Sequence, residues 1–323
     1  MRLRDRLADR IASYIARHIP HPSPPPLYLG GGLVLVTTNW GGRVVVPGYN
    51  VDVSVGLIRD GVHEPWTTRL VRELLQPGQT YVNVGANFGY YSVLGAMIVG
   101  SRGKVLAIEA NPTVFAILMK TIYFAGFPDR IEAYNRAAYL ESGLTLEFSF
   151  DYQFIGGGHL SAARGDSPGS PGPWWDGSTV SSLLNANGAW IKSAGLLQAL
   201  DATTIAIDDI GAIDTVDVLH CDVEQAEPFV LLGAARTIAR SKSCRIIFEW
   251  SGHAYAARDS QYRDTVRRMW QMLSDEGFYI RQLRPILHAD GGIEVSPPLS
   301  FEQFIGGEHG DYIAIRRKDD PWG

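Results

Sequence analysis

Two cysteines in 323 residues leave little scope for disulfide or thiolate-metal chemistry. Cys221 and Cys244 each fall inside an apolar run that reads as a buried strand, and no CxxC spacing exists. Two reduced core thiols are therefore expected, a state suited to a reducing cytoplasm. Positive charge is also short: 29 basic residues stand against 34 acidic ones, for a net charge of −5. Chains that grip many phosphates carry a basic excess, so no nucleic-acid partner is expected. No run reaches the ~18 apolar residues of a membrane span, so no transmembrane segment is expected. The first residues place Arg2, Arg4, Arg6 and Arg10 where a secretory signal would need unbroken apolar sequence. The expected location is the cytoplasm.

What is present is an ordinary globular composition, 46% hydrophobic and 20% charged, enough to build a sizeable core. Residues 1–26 stand apart. Leu3, Leu7, Ile11, Ile15 and Ile19 recur at steps of four, a narrow apolar stripe for a helix over 2–19, and a proline-rich linker follows from Pro20 to Pro26. That helix is the expected seat of a homodimer contact, if one exists. Residues 27–60 read as a β lead-in, with strands over 33–36, 43–46 and 51–55. From 61 to 323 a main domain is expected. A helix over 64–75 is followed by strand 81–84, helix 90–98, strand 105–108, helix 112–124 and strand 131–134. Later come strand 216–221, helix 228–240, strand 245–248 and helix 262–275. This alternation predicts an α/β fold of Rossmann type, with a mostly parallel twisted sheet covered by helices on both faces. Residues 151–200, with Gly156-Gly157-Gly158, three prolines and Trp174-Trp175, interrupt it and are expected to form an inserted lid.

The strongest local signal is Tyr81-Val82-Asn83-Val84-Gly85-Ala86-Asn87-Phe88-Gly89-Tyr90-Tyr91-Ser92, a strand entering a glycine turn and then a helix. Gly85 allows a tight turn against a ligand, Gly89 a close approach of helix to strand, and the helix start offers N–H groups to an anion. A dinucleotide turn needs a second glycine where Asn87 stands, which counts against the rival reading, a nicotinamide dehydrogenase. Glu109 ends the next strand, where an acid accepts hydrogen bonds from a ribose diol. Asp222 and Glu249 end two later strands at the same sheet edge, and His253 follows four residues after Glu249. The three are expected to converge beside the ligand. His159, in a glycine-rich stretch, and His220, within a strand, are further candidate bases, and a strand histidine is equally well a core residue. Asp222 and Glu249 are also hard oxygen ligands suited to Mg²⁺, though no tight metal-ligand spacing appears.

The segments VNVGANFGYYS, VLAIEANP and VDVLHCDVEQAEPFVLLGA, with the acid of IIFEW, are together similar to the FkbM-type methyltransferases over residues 60–280. The resemblance implies a class I methyltransferase fold, S-adenosylmethionine as cofactor, and methylation of a hydroxyl on a sugar, glycan or other small metabolite. It places Gly85, Ala86 and Asn87 along the methionine part, Glu109 at the ribose, and Asn135 and Arg136 near the adenine. Asn83, Tyr90, Ser92, Ala110 and Asp222 are also expected to bind the cofactor. Asn83, Ala110 and Gln225 stand where the family usually has Asp, Pro and Gly. A second rival is a non-catalytic protein that keeps the fold for binding or assembly.

Overall fold

The computed structural model describes residues 24–151, 158–160, 197–286 and 292–322. The stripe over 2–19 and most of the expected lid, including Trp174-Trp175, lie outside them. The chain opens with three short strands, β1 (Leu27–Gly30), β2 (Leu33–Thr37) and β3 (Arg43–Pro47), paired antiparallel in sequence order. Helix α1 (Val53–Asp60) follows. The strand expected over 51–55 is therefore corrected. Asn50 Oδ1 accepts the N–H groups of Val53 and Ser54 at 3.1 and 2.9 Å, and Asp52 caps Val53. These caps start a helix in spite of the β-branched valines.

Helix α2 (Pro65–Leu74) leads into β4 (Thr80–Val84), α3 (Tyr90–Val99), β5 (Lys104–Glu109), α4 (Pro112–Ala125) and β6 (Ile131–Asn135). Strands β7 (Ala137–Ala138), β8 (Thr145–Asp151), β9 (His159–Leu160) and β10 (Leu197–Ile205) then form a separate four-stranded sheet. Within it β8 and β10 run antiparallel from both flanks of the insertion. The described edges of that insertion are thus regular strands.

The main domain resumes with β11 (Val218–Cys221), α5 (Glu227–Leu232), α6 (Ala235–Arg240), β12 (Arg245–Trp250), α7 (Gly252–Ala256) and α8 (Ser260–Asp275). It continues with β13 (Phe278–Pro285), β14 (Ile293–Val295), α9 (Phe301–Ile305) and β15 (Gly310–Arg316). The single helix expected over 228–240 is two. It breaks at Gly233, where a Cβ would stand 2.1 Å from the Tyr139 carbonyl oxygen, so the backbone presses on its neighbour. Eight strands form the central sheet in the order β14-β13-β15-β12-β11-β4-β5-β6. The five from β12 to β6 are parallel, while β15, β13 and β14 run antiparallel to their neighbours. The fold is α/β and Rossmann-like, as expected. The two faces of the sheet carry two cores. One gathers Leu219, Val230, Phe248, Met269 and Phe304, the other Tyr81, Val93, Val105, Leu118 and Val218. Both cysteines are buried and free. Among the described residues no helix is long and apolar enough to cross a membrane.

Candidate active site

Strands β4 and β11 lie side by side and parallel, and chain order departs from them in opposite directions, to β5 and β6 on one side and to β12 on the other. Such a switch point opens a crevice beyond the carboxyl ends of the strands, where ligands of open α/β sheets bind. Gly85 and Asp222 stand at this place. Asp222 N–H donates to the Val84 carbonyl at 3.1 Å. Gly85 has φ +75°, and a Cβ on it would come 1.8 Å from the Asp222 carbonyl oxygen. Only glycine fits there, on both counts.

The turn after β4 differs from expectation in one respect: its amides are already engaged. Gly85 and Ala86 both donate to the Ile108 carbonyl at 3.0 Å, and Gly89 donates to Ala86 at 2.9 Å. Asn87 N–H donates to Glu109 Oε2 at 2.9 Å, and Phe88 N–H to the Asn87 side chain at 2.8 Å. Gly89 serves helix-to-helix contact rather than helix-to-strand, since a Cβ there would meet Leu118 of α4 at 2.7 Å. Asn83 Nδ2 donates to Ser92 Oγ at 2.9 Å with both side chains buried, so this neutral pair ties β4 to α3. The side chain of Tyr90, expected at the cofactor, is directed into the core of the small sheet. Its hydroxyl accepts from Trp40 Nε1 at 2.8 Å and shares a hydrogen bond with Thr68 at 2.9 Å, within the core of the small sheet.

Glu109 is the acid the cradle presents. It is buried, and each oxygen accepts one backbone N–H, from Asn87 and from Asn111 (2.8 Å), leaving lone pairs for a diol. Loss of water raises its carboxyl to about 7, against the opposing pull of the N–H donors. Asn135 Nδ2 fixes the floor by donating to the carbonyls of Glu109 and Ala110 at 2.9 and 3.1 Å, and Arg136 beside it is exposed. Asn111 caps α4 through Oδ1, while its buried Nδ2 has no partner among the described residues. An orphaned donor two residues from Glu109 fits a site built for an oxygen- and nitrogen-rich ligand.

Across the crevice, carboxylates gather. Asp222, Glu224 and Glu249 offer oxygens that all lie within 4.8 Å of one another, the one set of this kind among the described residues able to hold a metal ion. Asp222 is exposed to solvent on one side and crowded by protein on the other. Withdrawal from bulk water, then repulsion from Glu249, Glu64, Glu227 and Asp311, holds its carboxyl well above the usual range. Glu249 is raised by burial and then by Glu224, Glu227, Asp311 and Glu64. Glu224 and Gln225 are both left-handed, at φ 54° and 77°. Glycine adopts such a backbone most readily, in keeping with the residue expected at 225. Gln225 is held there by Arg258 (3.0 Å to Oε1) and by the Tyr262 hydroxyl (3.1 Å to its carbonyl).

The expected trio of Asp222, Glu249 and His253 is altered. His253 is exposed on α7, and the imidazole that meets Glu249 is that of His309, with Nε2 at 3.3 Å. His220 is a core residue. Its Nδ1 pairs with the Tyr81 hydroxyl at 2.9 Å, and burial, followed by the charge of His63, lowers it to about 4. His159 stands in β9 opposite Ser149, in the second sheet.

Sequence reasoning missed Glu64, Asp311, Glu224, His63 and His309. Glu64 precedes α2 in a left-handed conformation (φ 41°) and accepts from the Tyr91 hydroxyl at 2.7 Å. His63 Nε2 lies 3.7 Å from the other Glu64 oxygen. Asp311 accepts from Thr67 at 2.7 Å. Left-handed non-glycine residues cluster where structure holds them for function, but φ is not written in the sequence. Asp311 rides on a strand whose apolar run is short.

More than half of the chain, residues 83–280, matches the family described as the Methyltransferase FkbM domain. No curated protein matches the chain. Among solved structures it is similar to a methyltransferase FkbM from Methylobacillus flagellatus. Identity is 13%, over 77% of this chain and 50% of that one, with a TM-score of 0.39. It is also similar to an O-methyltransferase from Bacillus cereus in complex with SAH, at 12% identity over 84% of each chain and a TM-score of 0.39. A SAM-dependent O-methyltransferase from Thermotoga maritima is 12% identical over 87% of this chain and 77% of that one, with a TM-score of 0.38.

Proposed function

The chain belongs to the FkbM methyltransferase domain family, and from that premise we propose that it transfers a methyl group from S-adenosylmethionine to a hydroxyl of a sugar, glycan or other small metabolite. The observation that carries the reading is the pairing, at one switch point, of a ribose-type acid with a carboxylate cluster. Glu109 stands on the cofactor side and Asp222 on the other, joined by the Gly85 turn. When bound, S-adenosylmethionine would supply an electrophilic methyl on a sulfonium and leave as adenosylhomocysteine. Glu109 would accept from the ribose diol, Asn111 Nδ2, free among the described residues, is a donor for the same ligand, and Asn135 and Arg136 would border the base.

A neutral hydroxyl is a weak nucleophile and must lose its proton as the new bond to carbon forms. Asp222 is the group proposed to take that proton. Its raised carboxyl is a better base than an ordinary aspartate, because affinity for a proton grows with pKa. Glu249, steadied by His309, orients the hydroxyl. If the trio with Glu224 holds Mg²⁺, the ion lowers the hydroxyl pKa in the same place.

Calorimetry tests the cofactor half. Adenosylmethionine and adenosylhomocysteine should both bind, with NAD silent, and Glu109→Ala should weaken binding by about 1.5–3 kcal/mol, the scale of hydrogen bonds to a charged group. Tight NAD binding without response to adenosylhomocysteine would overturn the reading.

A further inference from the structure

Helix α4 is apolar almost all round: Lys120 is its one charged residue in PTVFAILMKTIYFA. Val114, Ile117 and Thr121 face the small sheet, where Thr121 Oγ1 accepts from Val45 N–H at 3.0 Å. Leu118 and Ile122 face the main core. The third face is left to solvent. Ala116 is exposed there, Met119 is 46% exposed and Tyr123 is 74% exposed, one to two turns apart, with Phe124 beside them. A surface helix ordinarily turns charged and polar residues outward. An outer row of this kind marks a contact surface rather than a solvated face.

We propose that this face of α4 is the docking site for residues 3–19 of the same chain. The segment carries Leu3, Leu7, Ile11, Ile15 and Ile19 as a stripe. As a helix, 17 residues span about 25 Å and the 14 residues of α4 about 21 Å, so the two rows match in length. Reach also suits. The described chain begins at Pro24 and enters β1 at Leu27. Strand β1 is separated from β3, which packs on α4, by β2 alone, and two strand spacings are about 10 Å. Residues 20–26, rich in proline, extend about 22 Å at 3.1 Å per residue. That exceeds the two strand spacings from β1 to β3, the strand on which α4 packs. A second copy or a lipid surface would meet the same apolar row but would not need the match of linker to distance. The inference does not depend on the methyl-transfer reading.

A disulfide test on the full chain separates these occupants. The native thiols are both buried, so Ile11→Cys with Met119→Cys introduces the reactive pair. Mild oxidation should give a crosslink within one chain, seen as a faster-migrating monomer that reductant reverses. A crosslink formed only between two chains, or none, overturns the proposal. Trypsin gives a second readout. Cleavage after Arg6, Arg10 and Arg17 should be at least tenfold faster in Tyr123→Asp than in the parent, with catalytic-domain unfolding unchanged. Equal cleavage rates, or protection of the parent only with vesicles present, would overturn it too.

Discussion

At the scale of single residues, the site depends on carboxylates kept at unusual affinity for protons. Glu249, Glu64, Glu227 and Asp311 all bear on the Asp222 carboxyl, with His309 beside Glu249 and His63 beside Glu64. Such a group holds its proton longer and is a stronger base once it has lost it. Asp222→Asn is expected to leave adenosylhomocysteine affinity within a few-fold while cutting turnover by about 10²–10⁴, the usual weight of a positioned base. Single-turnover methyl transfer beside calorimetry measures both. Near-parental turnover in Asp222→Asn would remove the residue from the chemistry, and a collapse of affinity would move it to the cofactor pocket. Chelation gives a separate answer: activity lost to chelator and restored by Mg²⁺ assigns the Asp222, Glu224 and Glu249 trio to a metal, and unchanged activity leaves it to protons and hydroxyls.

At the scale of elements, the Tyr90 hydroxyl is one of the ties between the small sheet and the main domain, beside that of Thr121. Tyr90 on α3 takes the indole N–H of Trp40, which follows β2, and the hydroxyl of Thr68 on α2. Tyr90→Phe leaves the Trp40 N–H unpaired in a part-buried place and should cost about 1–3 kcal/mol of stability. Adenosylhomocysteine affinity should stay within twofold; a large loss would return Tyr90 to the cofactor cradle. The elements carrying the cradle were legible because each wrote its period plainly. An apolar run ended at Gly85, another at Glu109, another at Asp222, and helices with Pro or Gly at their boundaries lay between. The misreadings were local. Val51 to Val55 looked like a strand, but Asn50 and Asp52 supply caps that valines cannot veto. His253 looked nearer to Glu249 than His309 because sequence distance was the only distance available. The acids Glu64 and Asp311 arrive from segments flanking the matched family region, Asp311 through the pairing of β15 with β12 and Glu64 through the turn before α2.

At the scale of the whole molecule, these raised acids shape stability against pH. Glu109 and Glu227 are each raised from 4.5 to about 7 by burial. A raised acid contributes stability that is full below 4.5 and gone above 7, about 3 kcal/mol for each such shift. His220 runs the other way. Lowered from 6.5 to about 4, it contributes stability that is full above 6.5 and lost as pH falls toward 4. Two acids outweigh one histidine, and Asp222 and Glu249 add to the same side. The protein should therefore unfold at a higher temperature at pH 5.5 than at pH 8, with Glu227→Gln flattening the slope. A melting temperature that is flat or rises from pH 5.5 to 8 would contradict the burial argument. The order of the sheet also has a consequence for how the chain comes together as it is synthesised. Strand β15 is made after β13 yet lies between β13 and β12. Until Gly310–Arg316 has emerged, β12 presents an open edge, and β13 has no place to dock except the one β15 must later occupy. Premature pairing of β12 with β13 would shut β15 out. A nascent chain stopped before Gly310 is then the species for which a chaperone has most to do.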